Sequence, residues 1–178
     1  MLNSMDDPEA ADAVNCLARL VQSDWRIALV VTGGGSGAVT QCFRRPQASV
    51  NFVEAVIPYS RKSLEDYLGR PPIAGSASPE TATQAAMVAH DRATRLGSGD
   101  IQDAVGISLL AVLPTQPRRD DQTHRICVSM QAAGGSANWM TEIDDGSMTR
   151  QDAEQMADRM FWTAIEHLLS PSVGSGLS

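Results

Sequence analysis

The sequence predicts an α/β protein of three layers, α/β/α, built around one mixed sheet of about five strands. Three observations carry that expectation. Helix-like and strand-like segments follow one another in the order α-β-α-β-α-α-β-β-β-α. Two of the strand-like runs, Arg26–Val31 and Ala104–Leu113, are apolar without alternation, as strands covered on both faces require. The pair Gly134-Gly135 separates two later strand-like runs by a tight turn, so an antiparallel member joins strands that the early crossovers make parallel.

Each element has a local reason. Asp6, Asp7 and Pro8 stand where a helix N-terminus favours acids and proline. Ala10, Val14, Leu17, Ala18 and Val21 then recur at helical spacing and are expected to form the buried face. Thr32 to Gly37 ends the first strand, and Ala38, Val39, Cys42 and Phe43 predict a helix at about 36–44. Val50 to Ile57 reads as the second strand, ended by Pro58. Ser63-Leu-Glu-Asp66 has the pattern of a capping box opening a short helix that stops at Gly69.

Ser78-Pro79 predicts a helix start with serine as N-cap and proline at the first helical position. Ala82, Ala85, Ala86, Ala89 and Ala93 give that helix a small-residue face suited to close packing on a sheet. Arg118-Arg-Asp-Asp121 is expected as a polar loop, with strands at Arg125–Ala132 and Trp139–Ile143. Thr149, with Asp152 three residues on, caps a last helix whose core face is expected at Ala153, Met156, Met160, Ala164 and Leu168. The chain reads as one domain over 1–170, followed by a Gly/Ser-rich tail at 171–178 expected to be mobile.

Composition removes several classes of function. The chain has 178 residues and a net charge of -7, which argues against a protein that works by neutralising nucleic-acid phosphates. No apolar run approaches the roughly 20 residues of a bilayer span. The first dozen residues are acidic and lack the basic and apolar regions of a signal peptide, so a cytoplasmic location is expected. Cys16, Cys42 and Cys127 are too few and too scattered for a disulfide framework or a zinc site. His90, His124 and His167 have no ligand-like partner at helical spacing, so neither metal nor cofactor is expected.

Two segments could carry chemistry. Thr32, Gly33, Gly34, Gly35 and Ser36 lie between a buried strand and a helix, where backbone N–H groups can converge on a phosphate or carboxylate. The alternative reading is a tight turn that lets helix and strand approach. No Gly-Lys-Ser/Thr follows and the dinucleotide spacing is absent, so this is not a nucleoside-triphosphate loop. The second segment holds Ser49, Tyr59, Ser60, Arg61 and Lys62, the last being the only lysine in the chain. A serine needs a base to become a nucleophile, and a lysine can supply one. From Arg26 to Arg70 six cations stand against three acids, a local excess suited to an anionic small molecule. Arg150, in the first turn of the last helix, opposes the helix dipole and so invites a purpose.

Taken in order, these motifs resemble the CinA C-terminal domain, the nicotinamide-nucleotide amidase family, over about Val14 to Leu169. The resemblance rests on Val30-Val-Thr-Gly-Gly-Gly-Ser36, Gln47-Ala-Ser49-Val-Asn-Phe52, Tyr59-Ser60, Leu68-Gly69, Gly75-Ser-Ala-Ser78 and Thr149-Arg150. It implies a CinA-like three-layer fold and metal-free hydrolysis of the carboxamide of nicotinamide mononucleotide. It also implies Ser49 as nucleophile, Tyr59 as orienting hydroxyl, and the 32–36 loop as part of the pocket. Several motif positions differ: Val31 stands for an acid, Thr32 for a serine, Gly34 for a threonine, and Leu64 for a lysine. The family's later T-G-x-A-G-P loop is apolar here, at Ser108 to Pro114.

Two functions follow as expectations. The first is a catalytically degenerate CinA-like domain binding a nucleotide or similar anionic molecule through Thr32, Gly33, Gly34, Gly35, Ser36, Ser60, Arg61 and Arg150. The second is an amidohydrolase acting through Ser49, Tyr59 and Lys62. Lys62 sits two positions from where the family's lysine falls, a displacement of roughly 6–7 Å along extended chain. The expected partner is a small anion resembling nicotinamide mononucleotide, with no nucleic acid and no membrane; homo-oligomerisation stays open.

Overall fold

The chain adopts the expected succession of elements, with one extra helical turn before the second strand and a 3-10 turn before the third, in a computed structural model that describes residues 8–115, 123–143 and 148–170. Helix α1 (Pro8–Leu20) leads into β1 (Arg26–Thr32). Helix α2 (Ser36–Phe43) and the single turn α3 (Ala48–Asn51) carry the chain to β2 (Phe52–Val56). Helices α4 (Arg61–Leu68) and α5 (Pro79–Leu96) and a 3-10 turn (Ile101–Asp103) precede β3 (Ala104–Val112). Strands β4 (Arg125–Ala132) and β5 (Gly135–Glu142) complete the sheet, and α6 (Arg150–Leu168) follows.

The sheet order is β2-β1-β3-β4-β5. β1 lies parallel to both neighbours, pairing Ile27 with Phe52 on one side and with Val105 on the other. β3, β4 and β5 form an antiparallel meander. Side chains alternate between two covered faces. Ile27, Leu29 and Val31 pack with α1, α2 and α6, while Ala28 and Val30 pack with α4 and α5. The small face of α5 does what its alanines suggest. Ala82, Ala85, Ala89 and Ala93 are buried against the sheet, and α5 comes so close that a Cβ on Gly106 would overlap the Ala86 carbonyl oxygen and the His90 amide.

This topology creates a crevice. From β1 the chain leaves toward α2 on one face, and from the adjacent β2 it leaves toward α4 and α5 on the other. The connections that leave the carboxyl ends of β1 and β2 therefore run to opposite faces of the sheet, and ligands of open α/β sheets commonly lie outside such strand ends.

Several local expectations need correction. Val50 and Asn51 are not strand residues but part of α3, entered through Gln47 at φ 70°. The buried Asn51 amide donates to the Ser23 carbonyl at 3.3 Å and to the Trp25 carbonyl at 3.0 Å, a non-local tie that overrides the β-branched pattern. Helix α4 is capped by Ser60, whose hydroxyl accepts from the Ser63 amide at 3.1 Å, rather than by Ser63. In α1 the buried face is Ala13, Cys16, Leu17 and Leu20; Val14 is 56% exposed and Ala18 is exposed too. In α6 the core residues are Ala153, Ala157, Phe161, Trp162, Ala164, Ile165 and Leu168, with Met156 and Met160 only partly covered. β5 begins at Gly135, four residues before Trp139, because pairing with β4 imposes extension on residues of low strand propensity.

The caps at Ser78 and Thr149 form as expected, the second with the reciprocal bonds of a capping box. The loop at Arg118–Asp121 and the tail at 171–178 lie outside the described residues. Among the described residues, no helix is long and apolar enough to cross a membrane.

Candidate functional site

A cavity of about 130 Å³ occupies the crevice. The end of β1 and the glycine loop supply Val31, Thr32, Gly33, Gly34 and Ser36; the segment after β2 supplies Ile57 and Tyr59; α6 supplies Arg150 and Glu154. The Thr32 hydroxyl donates to the Pro58 carbonyl at 3.0 Å, tying the two strand ends together. Tyr59, 73% exposed, stands at the mouth.

The floor of the cavity is organised by α6. The Arg150 guanidinium donates from Nε and Nη2 to Glu154 Oε1 at 3.0 and 2.8 Å, and from Nη2 to the Gly33 carbonyl at 2.9 Å. The other oxygen of the same carboxylate, Oε2, accepts from the Gly35 amide at 2.8 Å. One turn further along α6, Asp158 Oδ1 accepts from the Ala38 amide at 2.9 Å. Two carboxylates thus lie at the N-terminus of α2, where unpaired amides and the helix dipole favour negative charge. They reach it because the loop has no side chains in the way: a Cβ on Gly37 would overlap the Asp158 carboxylate. The glycine run therefore serves close packing against α6 as well as lining the cavity.

The remaining candidates are placed as follows. Gly35, at φ 81°, is the N-cap of α2. Ser60 caps α4, Arg61 pairs with Glu65 at 3.0 Å, and Lys62 is exposed on the first turn of α4; none of the three lines the cavity. Ser49 is exposed on α3, before β2, and its hydroxyl makes no hydrogen bond among the described residues. Tyr59 follows β2. The strand between them alone spans roughly 15 Å at about 3.3 Å per residue, so Ser49 and Tyr59 stand at opposite ends of β2. Lys62 shares the Tyr59 end and is likewise remote from Ser49. Glu154 and Asp158 belong to no local motif. Their spacing of four from Arg150 and from each other was a visible sign of one helix face, but nothing local pointed that face at α2.

Chemically, the cavity holds one guanidinium, one carboxylate and three hydroxyl side chains. No imidazole, amine or carboxylate hydrogen-bonds to Thr32 or Ser36 among the described residues. The Thr32 proton is directed at a backbone carbonyl. Near the far end of α2, burial first and the Asp158 carboxylate second push the Cys42 thiol up, so it stays protonated. Among the described residues no cluster of histidine, cysteine or acidic side chains could hold a metal ion.

No protein-family model and no curated protein matches the sequence. Solved structures do match in fold. A CinA superfamily protein from Enterobacter cloacae superposes with a TM-score of 0.71 at 18% identity, covering 96% of this chain and 99% of its own. A competence or damage-inducible protein from Enterobacter asburiae gives 0.72 at 15% identity, covering 91% and 98%. The protein CihA from Agrobacterium tumefaciens gives 0.67 at 13% identity, covering 98% and 100%. At these identities the likeness is one of fold. The chain has the α/β/α fold of CinA superfamily structures over nearly its whole length, in agreement with the resemblance its motifs carry.

Proposed function

We propose that this is a non-catalytic CinA-fold domain that binds a small anionic molecule in the crevice between β1 and β2. The observation that supports this best is a cavity furnished with a guanidinium and a glycine loop, while among the described residues no hydroxyl in it has a base at hydrogen-bond distance. A hydroxyl without a positioned base forgoes roughly 10²–10⁴ in rate from that term alone. The volume suits one anionic group rather than a whole nucleotide, since pockets for drug-sized ligands run to about 300–1,000 Å³. The rest of the ligand would lie over Ile57 and Tyr59 at the mouth. Incubation of the purified protein with nicotinamide mononucleotide, scored both for ammonia and for thermal stabilisation, tests the reading. Stabilisation without ammonia is the expected result; ammonia above the blank overturns it.

A second reading, an amidohydrolase of the nicotinamide-nucleotide type, has one observation in its favour. Thr32 brings a hydroxyl into the same cavity as Tyr59 and Arg150. In that case Thr32→Ala would abolish ammonia release and Ser49→Ala would leave it intact.

A further inference from the structure

The two ionisable groups on the floor of the cavity are bound to each other. Arg150 gives two donors to Glu154 Oε1, and the opposite oxygen of that carboxylate takes the Gly35 amide. Both kinds of donor that an anionic ligand would need, a guanidinium fork and a helix N-terminal amide, are thus already in use by a single side chain. The pair is not sealed in the core: the side chains of Arg150 and Glu154 are 41% and 32% exposed and both line the cavity. A carboxylate at this depth can swing out on its own χ angles without disturbing the backbone of α6.

From this arrangement we infer that Glu154 is the affinity- and specificity-determining residue of the pocket, an internal carboxylate that an incoming anion must displace from Arg150. The inference rests on the reading that an anionic group binds at Arg150. Its content is a competition. An entering carboxylate replaces like with like and gains little. A phosphate group, with close to two negative charges at neutral pH and three strong acceptor oxygens, offers Arg150 and the loop amides more than Glu154 does. The pocket therefore prefers phosphate to carboxylate, and its affinity is held below what its donors could give. Two contacts that do not involve Glu154 keep Arg150 in place: Nη2 donates to the Gly33 carbonyl at 2.9 Å and Nη1 to the Pro114 carbonyl at 3.5 Å.

The test is the binding of inorganic phosphate to the full chain, followed by thermal shift and by calorimetric titration. Glu154→Gln keeps the shape of the side chain and removes its charge; Glu154→Ala removes the competitor altogether and serves if the glutamine variant does not fold. The expected result is phosphate affinity at least tenfold higher in either variant than in the wild type, and loss of that gain when Arg150→Met is added. A merely structural role for Glu154 would weaken binding, not strengthen it. Equal affinity in wild type and variants, or weaker binding in the variants, overturns the inference while leaving an anion at Arg150 intact. Absence of phosphate binding in all of them overturns both.

Discussion

The Gly35 amide donates to Glu154 Oε2 at 2.8 Å across 119 residues of sequence. This bond explains why a glycine-rich loop at a helix N-terminus, the strongest ligand signal in the sequence, is also a packing device. The amide that an exogenous anion would seek is met by a carboxylate of the same chain. The neighbouring Asp158 treats Ala38 in the same way, one turn further along α6. A Cβ on Gly37 would overlap the Asp158 carboxylate and one on Gly34 would crowd Glu154 Oε2, so glycine at 34 and 37 gives both carboxylates room.

The first prediction concerns Gly33. Its φ of +82° is one that L side chains rarely adopt, and a Cβ there would collide with the Ala111 carbonyl oxygen of β3. Backbone cannot step aside as a flexible side chain can. Gly33→Ala should destabilise the protein by about 3 kcal/mol or more in urea unfolding, combining strain with overpacking. Gly69→Ala, at φ +69° but with open space around it, should cost only about 1 kcal/mol. Equal losses at the two positions would remove the collision from the account.

Ser49 provides the second. An exposed hydroxyl without a hydrogen bond contributes little to stability, so Ser49→Ala should shift unfolding by no more than about 0.5 kcal/mol. Ligand-induced thermal stabilisation should be unchanged as well, because Ser49 and the cavity lie at opposite ends of β2. A loss of binding on this substitution would place the ligand at α3 instead.

Asn51 should behave in the opposite way. It is 2% exposed, and its side-chain amide donates to the backbone carbonyls of Ser23 and Trp25. Asn51→Ala should cost about 1–3 kcal/mol in chemical denaturation. Asn51→Asp should cost more near neutral pH than below pH 4, since an ionised carboxylate would face two carbonyl oxygens.

The fourth prediction uses the cap of α6. The side chain and then the backbone of Thr149 hold the Asp152 carboxyl below its ordinary range. A depressed folded-state value means stability that is present above the unfolded carboxylate range, near pH 3.9. That stability is lost as pH falls through the lower folded value. Melting temperatures of wild type and Thr149→Ala, measured from pH 7 to pH 2, should therefore differ most at neutral pH and less in acid, where only the cap bond from the Asp152 amide to the Thr149 hydroxyl still separates them. Parallel curves over the whole range would show that the capping box does not carry this dependence.

The linear order of helices and strands, the caps at Ser78 and Thr149 and the small face of α5 were legible because each is written in neighbouring residues. Periodicity, N-cap chemistry and side-chain volume are local properties, and the fold class follows from their succession. The departures in and beside the sheet are non-local. Asn51 leaves the strand because its amide finds the chain end after α1, and β5 starts early because β4 offers it hydrogen bonds. For the site, the sequence determined that a glycine loop follows a buried strand and that Arg150 opens the last helix. Only the tertiary structure decided that α6 lays Glu154 and Asp158 across α2, and that Ser49 and Tyr59, ten positions apart, face different ends of the sheet. The physical reason is that a strand keeps its two ends apart, whereas helix packing brings together charges that the chain holds far apart.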